Sequence, residues 1–170
     1  MHRRTFLLSG TALLATIAAG GFGLLRAAGA AAAETFPVSF TVDEWKKRLS
    51  PEAFAVLREE ATERPFTSAL NDNKKEGVYH CAGCDVPVYS SAAKYDSGTG
   101  WPSFWQPISS EVIGTRTDYV LVYPRTEVHC ANCGGHFGHI FDDGPPPTGQ
   151  RHCLNGVALR FAPGSEAAAG

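Results

Sequence analysis

Two cysteine pairs, Cys81 with Cys84 and Cys130 with Cys133, constrain this chain more than any other feature. Each pair follows a strand-like run ending in histidine, "VYHC" and "EVHC", and 45 residues separate Cys84 from Cys130. A C-x-x-C turn presents two thiolates to one tetrahedral ion, so two such turns complete a closed shell of four sulfurs. At this separation the ion would tie distant parts of one fold together rather than build a finger. Two disulfides are an alternative, but each would close a tiny loop and constrain little. A redox-active pair would sit near a βαβ pattern, which the sequence does not offer, and iron is a third occupant to weigh. One structural zinc per chain is the favoured reading. Four thiolates leave no open position, so that ion should hold structure and do no chemistry. His80 and His129 precede the pairs and read as strand residues beside the site, not ligands.

The texture around the pairs is that of a small β domain. "TVDEWKKRL" carries a capping box, Thr41 with Glu44 three residues on, and "SPEAFAVLREEAT" offers Ser50 as a cap and Pro51 in the first turn. Ala53, Phe54, Leu57 and Ala61 then form a helical apolar stripe. From Gly77 onward the runs "GVYHC", "VPVYS", "SEVIG", "DYVLVYPR", "TEVHC", "HFGHIF" and "NGVALRF" read as strands, and the tail "PGSEAAAG" as frayed. The expected fold is mainly β: two small antiparallel sheets with short N-terminal helices, stapled by zinc.

Residues 1–33 read differently. Arg3 and Arg4 open an Ala/Leu/Gly-rich stretch that ends in small residues, the pattern of a cleavable export signal. The adjacent arginines resemble a twin-arginine signal, which predicts a bacterial periplasmic location. Gly10, Gly20, Gly21, Gly23 and Arg26 dilute the stretch too far for an uncleaved anchor. The domain then runs over 34–170 with a core of about 42–161, without stable membrane association and as a monomer. Removing Arg3, Arg4 and Arg26 leaves 12 basic against 17 acidic residues, which argues against a nucleic-acid partner.

Cys153 has no cysteine nearby. Its isolation fits a buried structural thiol or a nucleophile about equally. If 151–155 is extended, Arg151, Cys153 and Asn155 share one face. A guanidinium there favours the thiolate, and a carboxamide can donate to developing charge. Two further stretches are rich in chemistry. "GTGWPSFW" sets Trp101, Phe104 and Trp105 around a tight turn, ordinary as core but also able to line a shallow apolar pocket. "HFGHIFDDGPPPTGQ" gathers His136, His139, Asp142 and Asp143. The two histidines would face opposite sides of a regular strand, so joint use requires a kink at Gly138. Such a set could bind a metal, yet beside a thiol it suits acid–base work better.

Together "SGTGWPSFW", "HFGHIFDDGP" and "RHCLNGVAL", with both C-x-x-C pairs in register, resemble the B-type methionine sulfoxide reductases over about Val42 to Phe161. The resemblance implies a β-tent-like fold, zinc at Cys81, Cys84, Cys130 and Cys133, and reduction of the R epimer of methionine sulfoxide in proteins. It makes Cys153 the nucleophile and packs Trp101 against the substrate methyl. His139, Asp143 and Asn155 shape and hydrogen-bond the site, with His139 as proton donor and His136, Phe104 and Arg151 around the substrate.

Besides a mild change, "HFGH" for the commoner "HLGH", three positions depart from the family pattern. Thr99 stands where many members carry a second cysteine that resolves the sulfenic acid on the nucleophile. With four cysteines on zinc, nothing remains for that task, so an external thiol is expected as reductant, either a thioredoxin-like protein or a small molecule. His152 and Gly156 replace a commoner tyrosine and serine. The competing functions are a zinc-stabilised β module that binds a ligand without turnover, and a zinc-ribbon nucleic-acid module disfavoured by the charge.

Overall fold

The computed structural model describes residues 34–121 and 123–164, so the export reading of residues 1–33 falls outside the described residues. Local chemistry starts both helices as the sequence predicts. Thr41 caps α1 (Val42–Arg48), its hydroxyl accepting from the Glu44 N–H while the Glu44 carboxylate accepts from the Thr41 N–H. Ser50 caps α2 (Pro51–Glu59) with Pro51 in the first turn. Trp45, Ala53, Phe54, Val56 and Leu57 are the buried faces of this pair.

Among the described residues nine strands follow: β1 (Gly77–Cys81), β2 (Pro87–Ser90), β3 (Lys94–Tyr95), β4 (Ser103–Phe104), β5 (Ile113–Asp118), β6 (Arg125–Cys130), β7 (His136–Phe141), β8 (Arg151–Leu154) and β9 (Leu159–Pro163). They form a three-stranded sheet in the order β2-β1-β9 and a six-stranded sheet in the order β3-β4-β8-β7-β6-β5. Every pairing is antiparallel. The fold is thus mainly β, two antiparallel sheets with two short helices.

Some strand boundaries differ from expectation. "DYVLVYPR" is not one strand: β5 ends at Asp118, whose carboxylate accepts from the Val120 N–H and turns the chain. Tyr119, Val120, Leu121 and Tyr123 are consequently exposed. "SEVIG" and "NGVALRF" each open with a single 3-10 turn, Ser110–Val112 and Gly156–Ala158, before their strand begins.

The core sits where the sheets and α2 meet. Tyr79, Tyr89, Phe104, Phe137 and Leu154 are fully buried. Phe104 lies edge-on to Tyr79 at 4.9 Å and tilted on Tyr89 at 4.8 Å. Burying side chains of this size stabilises by about 1.5–3 kcal/mol each, which holds β4 and β8 rigidly in the sheet.

Candidate active site and metal centre

The four paired cysteines converge. Their Sγ atoms all lie within 4.8 Å of one another, and the closest approaches cross between pairs: Cys81 to Cys133 at 3.7 Å and Cys84 to Cys130 at 3.6 Å. A disulfide would need about 2.05 Å, so the disulfide alternative is set aside. A tetrahedral ion bound at about 2.3 Å sets its sulfurs about 3.8 Å apart, close to what these residues offer. Four thiolates at this range repel unless a cation sits among them, so the donor set fits a divalent metal. Cys81 ends β1 in one sheet and Cys130 ends β6 in the other, so the cluster staples the two sheets together. The Arg58 guanidinium donates to the Cys133 carbonyl at 2.9 Å and ties α2 to it.

Cys153 lies elsewhere, at the centre of the large sheet. One row of register partners crosses that sheet: Tyr95, Ser103, Cys153, His139, Glu127 and Arg116. Directly opposed residues in antiparallel strands show their side chains to the same face, so strand pairing alone sets His139 beside Cys153. The expected kink is present. Gly138 has φ +155°, and a Cβ there would meet the Cys153 carbonyl oxygen at 2.1 Å. Next to it β7 bulges against β6: Val128 pairs with Gly138 and His129 with His136, which leaves Phe137 without a register partner. As a result the His136 and His139 rings sit edge-on at 5.5 Å.

Carboxylates fix both histidines, the half-buried Asp118 and the buried Glu127. Asp118 Oδ2 lies 2.8 Å from His139 Nε2 and pairs also with Arg125. The Val120 N–H, His139 and Arg125 together hold the Asp118 carboxyl well below the usual range. An ionised Asp118 can only accept, so His139 Nε2 carries the hydrogen and Nδ1 presents a lone pair. Burial lowers the His139 pKa, with Asp118 pulling the other way; the ring is neutral at pH 7. Behind it, Glu127 accepts from His136 at 2.7 Å and pairs with Arg116 at 2.6 Å. Burial opposes the Glu127 charge, but bonds from His129 and His136 and the Arg116 guanidinium hold the carboxyl at about 2.

The thiol itself departs from expectation. Burial raises the Cys153 pKa, and it outweighs the Arg151 guanidinium and the Thr99 hydroxyl, which pull it down. Arg151 is already engaged by Asp143 through two bonds of 2.8 and 2.9 Å, and that carboxylate offsets part of its pull. Cys153 rests as a thiol, not as the pre-formed thiolate that a neighbouring arginine predicts.

Other predicted site residues fall into different places. Trp101 is half-buried and donates from Nε1 to the Glu63 carbonyl at 2.8 Å, which fixes its ring over the loop before β1. Phe104 is wholly buried on the opposite face of β4 from Ser103; it supports the loop from behind and does not line the Cys153 face. Asn155 lies past the end of β8, not in line with Arg151 and Cys153. Its carboxamide accepts from the Glu63 N–H at 2.8 Å and donates to the Phe137 carbonyl at 2.9 Å. Asp143 holds Arg151 and is itself largely exposed. His152 faces the core and bonds the Tyr89 hydroxyl at 3.0 Å. Glycine at 156 also finds a reason, since a Cβ there would meet the Ser68 hydroxyl at 1.8 Å.

Four contributors carried no sequence signal of their own: Asp118, Glu127, Glu63 and the hydroxyl of Thr99, whose Oγ1 lies 3.9 Å from Cys153 Sγ.

Known proteins resemble the chain over most of its length. The SelR domain family matches residues 49–163. The chain is 52% identical over 125 residues to the peptide methionine sulfoxide reductase MsrB of Pseudomonas putida, covering 72% of this chain and 92% of that one. It is 47% identical over 120 residues to the MsrB of Agrobacterium fabrum, covering 71% and 89%. Against the chloroplastic peptide methionine sulfoxide reductase B1 of Arabidopsis thaliana, identity is 51% over 124 residues, 72% of this chain but 61% of that longer protein. The chain belongs to this family, the B-type methionine sulfoxide reductases.

Proposed function

We propose that the chain reduces the R epimer of methionine sulfoxide in polypeptides through Cys153 alone. The observation that carries this reading is the register pairing of Cys153 with His139, on a face separate from the four clustered cysteines. His139 Nδ1 takes the thiol proton as the Cys153 sulfur bonds to the sulfoxide sulfur, then returns it to the sulfoxide oxygen; that hydroxyl passes to the Cys153 sulfur as the S–S bond breaks and methionine leaves. The balance is one thiol plus one sulfoxide giving one sulfenic acid on Cys153 and one methionine, a two-electron exchange between the sulfurs. Trp101 walls the methyl side, with His136 beneath His139. Arg151, held by Asp143, offers its charge to the sulfur, and Asn155 positions Glu63 and thereby Trp101. Returning the sulfenic acid to the thiol takes two electrons that water cannot supply, so two equivalents of an external thiol do it, leaving as a disulfide while the oxygen leaves as water.

Zinc is the ion we assign to Cys81, Cys84, Cys130 and Cys133; when bound it supplies cross-linking and charge neutralisation only. Residues 1–33 act as a twin-arginine-like export signal, placing the enzyme outside the cytoplasm.

The test is turnover of R and S epimers of a blocked methionine sulfoxide with dithiothreitol, repeated with Cys153→Ser. R-specific turnover that vanishes in the variant is expected. Equal inactivity of both proteins would instead support a ligand-binding module.

A further inference from the structure

The Thr99 hydroxyl does not end at Cys153. Thr99 Oγ1 lies 2.8 Å from Ser97 Oγ, Ser97 Oγ lies 2.7 Å from Ser103 Oγ, and Ser103 Oγ donates to the Trp101 carbonyl at 3.1 Å. Each hydroxyl owns one hydrogen, and this sets a direction. Because Ser103 spends its hydrogen on the carbonyl, Ser97 must donate to Ser103 and Thr99 to Ser97. Thr99 then has only a lone pair for Cys153, which suits the thiol and offers nothing to the thiolate.

The geometry points to a reversible hydroxyl relay in which Thr99 is a catalytic residue and Ser97 and Ser103 position it: when the Cys153 proton leaves, all three hydroxyls rotate and Thr99 donates to the sulfur anion. The proton itself goes to His139; no proton travels along the chain, because the Trp101 carbonyl cannot accept one. The rotated chain keeps three hydrogen bonds and gives up the one from Ser103 to the carbonyl. That surrendered bond opposes ionisation, whereas the new charge-assisted bond from Thr99 favours it and is the stronger of the two. The inference rests on Cys153 as the reacting group, although the relay acts on its ionisation whatever the substrate.

The relay assigns opposite signs to its two ends. The rate of iodoacetamide alkylation at Cys153, followed by peptide mass spectrometry on the full chain at pH 8, reads the thiolate fraction without any sulfoxide. Thr99→Val should slow alkylation about tenfold, and Thr99→Ser should match the unsubstituted protein. Ser103→Ala removes the bond that opposes rotation and should speed alkylation several-fold. An unchanged rate in Thr99→Val overturns the relay, as does a Thr99→Ser rate as slow as valine's, which would mark a packing role for the methyl group. A Ser103→Ala rate at or below that of the unsubstituted protein overturns its direction. Loss of sulfoxide turnover plays no part in these readings, so failure of the relay and failure of the proposed reaction are told apart.

Discussion

Asp118 and His139 meet through a 2.8 Å contact between the end of β5 and the middle of β7, and that contact leaves Nδ1 as the imidazole nitrogen not engaged by Asp118. Strand pairing brings His139 to the thiol; Asp118 fixes its tautomer. In Asp118→Asn the imidazole loses this constraint, and its pKa falls further because the carboxylate was the group raising it. The expected outcome is a loss of about tenfold to a hundredfold in kcat, with the acidic limb of the pH profile moved to lower pH. Steady-state kinetics on a blocked sulfoxide peptide between pH 4 and 9 checks both.

Reaction rate should climb with pH further than an ordinary cysteine would allow. Burial raises the Cys153 pKa, so the thiolate fraction keeps growing tenfold per pH unit through the range where a free cysteine, at about 8.5, would level off. Alkylation of Cys153 against pH gives this curve directly. A plateau below pH 8 would show that Arg151 and Thr99 win over burial after all.

His152 offers a stability test independent of catalysis. Burial holds its folded pKa down to about 4, against 6.5 for the free group. The unfolded imidazole therefore binds a proton first as pH falls, and protonation favours unfolding. The neutral ring's contribution is complete above about pH 6.5 and is lost as pH drops toward 4, a swing of about 3 kcal/mol. His152→Leu leaves the Tyr89 hydroxyl unpartnered and should be less stable at pH 7. Its urea midpoint should nonetheless vary less than that of the unsubstituted protein between pH 6.5 and 4.5.

Metal removal should cost activity only through loss of the fold. The four-sulfur cluster joins β1 to β6 across the two sheets, and a closed thiolate shell can supply on the order of 10 kcal/mol of apparent folding free energy. A strong chelator with mild denaturant should collapse tertiary structure and activity together, releasing one zinc per chain by elemental analysis. Release of zinc with tertiary structure and turnover intact would contradict a structural role.

What the sequence revealed and what it hid have physical reasons. The helix caps, the four clustered cysteines and the solitary Cys153 were legible because local spacing determines them. Even the Gly138 kink was readable, since two histidines three residues apart can share a face only if the strand breaks its period. The partners that act on the site were not legible. Asp118 lies 21 residues from His139 and Glu63 lies 92 from Asn155, and no local pattern specifies such pairings. Phe104 misled for a related reason. Aromatic residues in a Gly/Pro turn look alike whether they face a pocket or the core, and only the pairing of β4 with β8 assigns Ser103 to one face and Phe104 to the other. The raised thiol pKa escaped too, because sequence displays the charge of Arg151 but neither the burial of Cys153 nor the grip of Asp143 on that charge.

The decisive measurement is a single turnover with excess R sulfoxide and no reductant, read by intact and peptide mass spectrometry. The account predicts one methionine formed per chain, one oxygen atom retained at residue 153 as sulfenic acid, and all four clustered sulfurs still protected by their metal. A disulfide joining residue 153 to any of those four, or methionine formation that persists in Cys153→Ser, would contradict it.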